Sequence, residues 1–228
     1  EEIIKWAKYY SADVYEGDKF VLKNQFRCNG SDEYIAWVES VLYNDSKEGL
    51  FLNLDYDIKV FDDILEMKTE IDKKNINNKA RMISGDVFPW ISMNDKTQID
   101  INIGDFHAQW NRTKTFASDL KSIDEVGCIH TTQGMEFEYV GLIIGDDLLY
   151  RNHRVMTDYT RHPEGAGEFK RPHQRQINHE DKDIIDQLIR NTYRVLFTRG
   201  QKGCYIYCMD RALGEYLKKR IKEIRKEV

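Results

Sequence analysis

The sequence predicts an α/β domain whose parallel sheet carries helices on both faces. Three observations lead there. Short apolar runs rich in β-branched and aromatic residues recur along the chain, the clearest being YVGLIIG at 139–145. That run lacks polar alternation, as expected of a strand buried on both faces of a parallel sheet. Between such runs lie segments with helical periodicity, the clearest at 181–199, where Ile184, Ile185, Leu188, Ile189, Thr192, Val195 and Leu196 fall at helical spacing. Strands alternating with helices in this way argue for βαβ units and one layered core.

Taken in order, residues 1–10 (EEIIKWAKYY) read as a short amphipathic packing helix with Ile3, Ala7 and Tyr10 on one face. DKFVL at 18–22 reads as a strand, followed by Asn24-Gln25-Phe26-Arg27. Ser31 can cap a helix over 32–43 with Tyr34, Val38, Val41 and Leu42 as its apolar stripe, and Trp37 is assigned to the core. A loop over 44–56 precedes a strand at 58–61 and a helix at 62–74, with Asp62 near its start and lysines at its end, as the helix dipole favours. Arg81 to Ser84 reads as a central strand, and 98–106 as an edge hairpin strand. The aromatics Phe106 and Trp110 either cover the sheet or stack on a base, and covering the sheet is favoured. Residues 115–126 read as a polar link.

The chain is organised around CIHTTQGMEFEYVGLIIG at 128–145, read as strand (CIH), turn (TTQG) and buried strand. Gly134 permits a backbone conformation closed to residues with a Cβ, and Glu136 is fixed just after the turn. This reading puts Gln133, Gly134 and Glu136 at the end of a buried strand, where ligands of open α/β sheets collect. A polar insertion over roughly 150–180 follows, carrying Arg151, Arg154, Arg161, Lys170, Arg171 and Arg175. It reads equally as a nucleic-acid phosphate contact or as a solvated loop. The helix at 181–199 ends at Gly200, a natural helix stop. GCYIYCM at 203–209 is a strand, and a last helix over 210–225 is capped by Asp210.

Composition narrows the class. The 228 residues, 41% of them hydrophobic, suffice for one large domain or two small ones, and a net charge of −5 argues against a wholly basic coat while allowing a local basic patch. No apolar run approaches the roughly 20 residues of a membrane span. Cys128, Cys204 and Cys208 lie in apolar runs and Cys28 stands apart, so buried thiols, a reduced cytoplasmic setting and no zinc site are expected. The histidines at 153, 162, 173 and 179 lack ligand spacing, and no metal site is assigned. The first residue is Glu, and the chain is expected to be a piece of a longer protein.

HTTQGMEF resembles the fifth conserved motif of superfamily 1 helicases, and RNTYRVLFTRG resembles the sixth, with Gly200 where an alanine is usual. CIHTTQGMEFEYVGLIIGDDL together with LIRNTYRVLFTRGQKGCYIYC is similar to the Schlafen-type (group 3) DNA/RNA helicase-like family, as is a DFxxxWN-like element at Phe106, Trp110 and Asn111. The resemblance implies a RecA-like lobe of the P-loop NTPase type spanning 1–228, with 1–12 left over from a preceding region. It also implies a cytoplasmic, bacterial source. Arg199, and Arg27 of the fourth-motif element, would be catalytic, working on the γ-phosphate of ATP. Glu136 would accept from the ribose hydroxyls, with Gln133, Gly134 and Arg194 also on the nucleotide. His130, Thr131, Arg151, Arg154 and Arg171 would meet DNA or RNA. Arginine suits phosphate because its planar fork donates two hydrogen bonds at once.

No G-x-x-x-x-G-K-[ST] phosphate loop occurs in the sequence. The resemblance therefore implies the C-terminal motor lobe of a helicase or translocase, whose ATP and Mg²⁺ are held mainly by an N-terminal lobe outside this chain. The alternative is a docking module for nucleic acid or protein that keeps the fold without the turnover. Asp146-Asp147 imitates the acidic pair of a Mg²⁺ site, but the family places that pair in the other lobe. No Ser, His and Asp arrangement suggests a separate hydrolase centre.

Overall fold

The computed structural model describes residues 2–15, 28, 31–44, 56–113, 115–163 and 179–225. Seven strands form the main sheet: β1 (Asp57–Phe61), β2 (Ala80–Ser84), β3 (Ile101–Ile103), β4 (Phe106–Trp110), β5 (Glu125–Gly127), β6 (Phe137–Ile144) and, last in the chain, β9 (Gly200–Cys208). Their order is β1-β9-β6-β2-β5-β4-β3. Every pairing is parallel except β3 with β4, an antiparallel hairpin at the edge. Two further strands, β7 (Leu148–Arg151) and β8 (Arg154–Thr157), make a separate hairpin. This is the α/β, RecA-like arrangement expected of the sequence.

Period-two alternation along β6 divides the core. Val140, Leu142 and Ile144 belong to one cluster, with Trp37 and Val38 of α2 (Asp32–Leu42), Tyr193 and Leu196 of α4 (His179–Phe197), and Leu213 and Leu217 of α5 (Arg211–Ile224). Ile143 joins the other, with Ile64, Met67 and Ile71 of α3 (Ile64–Lys74). Each such side chain contributes about 1.5–3 kcal/mol through burial. Trp37 is fully buried, and Phe106 and Trp110 are 5% exposed, so these aromatics cover the sheet. All four cysteines are buried and free. The helix starts follow their capping residues: Ser31 accepts from Tyr34 N, Asp63 from Leu65 N, and Asp210 from Leu213 N. The cap of α3 is thus Asp63, one residue past Asp62. Residues 2–9 form α1.

Arg81 is the unexpected core residue. It is fully buried in β2, and its guanidinium donates to Ser122 Oγ at 2.8 Å and to the carbonyls of Phe116 and Asp119 at 3.3 and 3.1 Å. Burial lowers its pKa, but the ring of acceptors satisfies the charge and pins the segment leading into β5.

Four expectations are corrected. The strand before the turn is Glu125–Gly127, which begins inside the expected polar link, and Cys128, Ile129 and His130 begin the turn instead. Thr131 Oγ1 accepts from Cys128 N at 2.9 Å, which diverts the backbone out of the sheet. Gly200 does not stop a helix: α4 ends at Phe197 and Gly200 opens β9. The insertion is not structureless where described. Its first part is the β7–β8 hairpin, closed by Asn152 and His153 at φ 51 and 61, the backbone of a two-residue primed turn. Charged side chains on both strands hid the alternation. Finally, the edge hairpin expected at 98–106 is present, but as two strands, β3 and β4, that reach from 101 to 110. The strand expected at 18–22 lies outside the described residues.

Candidate nucleotide edge and basic edge

The parallel strands define two edges, an entry edge at their N-terminal ends and an exit edge at their C-terminal ends. In the register of β6 with β9, Phe137 is the partner of Gly200. The residues just before them, Glu136 and Arg199, therefore enter the sheet side by side, on backbones about 5 Å apart. The site expected at strand C-termini lies instead at the entry edge, because Glu136 precedes β6 rather than following β5. The link 128–136 leaves the exit edge at Gly127 and reaches the entry edge at Phe137.

Each part of this edge has a local cause. Gln133, Gly134, Met135 and Glu136 form an exposed run. Gly134 has φ +74, and nothing lies within 4 Å of the place a Cβ would take, so the backbone conformation and not packing calls for glycine. The start of the link is tied down: Thr132 Oγ1 donates to Cys128 O at 2.8 Å, and Thr131 Oγ1 donates to Asn111 Oδ1 at 3.0 Å. Asn111, of the DFxxxWN-like element, is buried at φ +53 and its N–H donates to Val126 O.

Arg199 lies in a turn clamped on both sides. Tyr34 donates to Phe197 O and Tyr56 to Gly200 O, each at 3.0 Å, with the two rings stacked 3.9 Å apart. Burial raises both tyrosines well above the ordinary phenol range, so they stay protonated donors. A Cβ on Gly200 would stand 2.2 Å from Gly203 O, where two residues of β9 bulge between the pairs Phe137–Gly200 and Tyr139–Gly203. The bulge explains a glycine at a position where the resembling motif usually has alanine. Lys202, on the bulge, pairs with Glu138 at 2.9 Å on the same edge. Sequence reasoning missed the two tyrosines. Their signal was a phenol on an otherwise apolar helix stripe and another just before β1.

The other predicted residues are dispersed. Arg194 is held by Glu39 of α2 at 2.6 Å. Arg27 and Arg171 lie outside the described residues. At the exit edge, His130 is exposed and Thr131 half-buried, and the β7–β8 hairpin carries Arg151 and Arg154. Arg151 pairs with Asp210 at 2.7 Å. Asp147 is 2% exposed and accepts from Tyr193 OH at 2.5 Å, with His162 Nε2 at 3.0 Å on its other oxygen, which makes it an anchor of the hairpin. Among the described residues no three His, Cys, Asp or Glu side chains converge as a metal ion would need. No described helix is long and apolar enough to cross a membrane.

A Saccharomyces cerevisiae protein, the uncharacterized YPL245W, is 29% identical over 224 residues, covering 88% of this chain and 48% of the relative. The chain thus spans about half the length of that relative, which comes from yeast and not from the bacterial source expected. No solved structure matches. The model of the Schlafen group 3 DNA/RNA helicase domain matches residues 1–210, and the chain belongs to that family.

Proposed function

We propose that this domain is the C-terminal RecA-like motor lobe of an ATP-dependent DNA or RNA helicase or translocase, spanning 1–228. The observation that carries the reading is the pairing of Phe137 with Gly200, which brings the backbones of Glu136 and Arg199 to one edge of adjacent strands. The residues fit a nucleotide. An exposed glycine at φ +74 with open space above it leaves backbone groups accessible, and it is followed by an exposed carboxylate. ATP with Mg²⁺ supplies the transferable phosphoryl group, and a preceding lobe with its own phosphate loop would hold most of it. In this chain Glu136 would accept from the ribose hydroxyls, and Gln133 and Gly134 would line the phosphates. Arg199, with Arg27 beside it in role, would neutralise charge that develops on the γ-phosphate. His130 and Thr131 begin the link whose other end is Glu136, so nucleic acid at the exit edge and nucleotide at the entry edge would bear on one segment.

The test is nucleic-acid-stimulated ATP turnover by the full-length protein, wild type beside Arg199→Ala. Arginines acting on a transferring phosphoryl group are worth about three to five orders of magnitude. A collapse of that order with nucleotide binding retained is expected. Equal turnover in both proteins, or none in the wild type, would overturn the motor reading in favour of a docking module.

A further inference from the structure

We infer that the β7–β8 hairpin and the start of α5 form a groove that grips the backbone phosphates of a single-stranded nucleic acid. The inference rests on the reading of the domain as a nucleic-acid-engaging helicase lobe, and it gives that reading a docking surface. The groove has a volume of about 620 Å³ and is lined by Tyr150, Arg151, Asn152, His153, Asp210 and Arg211, with Ala212.

Three features point to phosphate. First, Arg151 and Arg154 are direct cross-strand partners at the hairpin tip. Like charges directly opposite one another destabilise a two-stranded ribbon. A hairpin that keeps two arginines there gains when an anion lies between or beside them. Second, two cations of this surface are not used up by the protein. Arg154 and Arg211 are exposed, and their side chains make no hydrogen bond or ion pair among the described residues. Among the described residues, Asp210 is the one acid lining the groove. Its Oδ1 accepts from Tyr150 N and Leu213 N, and its Oδ2 faces Arg151 at 2.7 Å. Its charge is therefore met from within the fold, and Arg151, with five donors, retains others for a ligand. Third, the groove offers an aromatic surface. Tyr150 lines it and is backed by Tyr216, stacked at 4.2 Å with an interplanar angle of 12°. Phosphate-binding cations beside a buttressed ring are what a single strand with unpaired bases uses.

The hairpin is tied to its neighbours on both strands. Val155 N donates to Asn44 Oδ1 and Arg190 Nη2 to Val155 O, which bind β8 to the residue just past the C-cap of α2 and to α4. Tyr150 N fixes β7 to the cap of α5. The groove also stands at the exit edge, where His130 and Thr131 leave β5 and away from Glu136 and Arg199. A strand held there would not compete with a nucleotide at the entry edge.

The test is binding of a short fluorescein-labelled oligo(dT) to the full-length protein without nucleotide, followed by anisotropy over a range of salt. Arg154→Ala and Arg211→Ala are expected to weaken binding at low salt several-fold each. The slope of log affinity against log salt should fall by about 0.7 for each phosphate that the variant no longer neutralises. Both side chains are exposed, so thermal melts of the variants should overlay the wild type. Tyr150→Leu should weaken binding with the salt slope unchanged. Unchanged affinity and slope in the Arg154→Ala/Arg211→Ala double variant would overturn the inference. So would binding of anionic vesicles or an acidic peptide in place of the oligonucleotide. Because no ATP is present, loss of Arg199-dependent turnover and loss of hairpin-dependent binding are separate failures.

Discussion

Single residues in this fold carry burdens that their type alone does not reveal. Gly134 and Gly200 look alike in sequence, yet the first is required by a φ of +74 and the second by a backbone oxygen 2.2 Å from any Cβ. Gly200→Ala is therefore expected to cost about 1–3 kcal/mol through overpacking, because the obstacle is main chain and cannot rotate away. Chemical denaturation measures it; a midpoint equal to wild type would mean that the bulge in β9 relaxes at no cost. Glu136 was legible in the sequence because it follows a glycine turn and precedes a buried run. The tyrosine clamp was not, since Tyr34 and Tyr56 are 22 positions apart and meet Phe197 and Gly200 only through the fold.

At the scale of elements, the hairpin and the turn show how local chemistry competes with pattern. The β7–β8 turn places Asn152 and His153 at positive φ. Asparagine tolerates that region well and glycine better, whereas histidine occupies it at some cost. His153→Gly should stabilise the hairpin by up to about 1 kcal/mol, read as slower hydrogen exchange at the amides of Arg151 and Arg154, the pair that closes the tip. Faster exchange there would mean the His153 ring itself braces the tip. The helices were legible nearly to the residue, because caps such as Ser31 and Asp210 and apolar stripes are local signals. The short strand β5 was not. Three residues, Glu125 to Gly127, are too few for a period, and the more apolar Cys128 and Ile129 beside them drew the assignment three residues too far.

For the molecule as a whole, the buried ionisable groups set how stability depends on pH. Burial raises the thiols of Cys204 and Cys208 and the phenols of Tyr34, Tyr56 and Tyr193 above their ordinary values. A folded-state pKa raised above the unfolded one contributes stability that is complete below the unfolded value and lost above it. The loss should therefore begin above about pH 8.5 for the thiols and steepen above about pH 10 for the phenols. Asp186 and Asp210 behave oppositely. Burial pushes each upward, but hydrogen bonds from Arg190 and Thr157, and from Arg151 and two backbone amides, outweigh it and hold both below the ordinary carboxylate value. Their contribution is complete above about pH 4 and lost as pH falls through the lower folded values. Urea midpoints across pH should trace a plateau with both shoulders. Rising stability between about pH 9 and 11 would contradict the burial of these groups.

The sequence by itself determined the α/β class, the helices and their caps, the buried thiols, the family, and the pair of motifs that contain Glu136 and Arg199. These are local signals: periodicity, capping chemistry and short motifs are written within a few residues of one another. Only the tertiary structure decided which edge of the sheet those motifs share, because edge and register depend on strand order. That β5 is separated from β6 by β2, and that β9 inserts between β6 and β1, follows from how helices on two faces fill one core. The same packing decided that Arg81 is a core residue, that Arg194 answers to Glu39, and that Arg151 and Arg154 stand on a hairpin at the far edge.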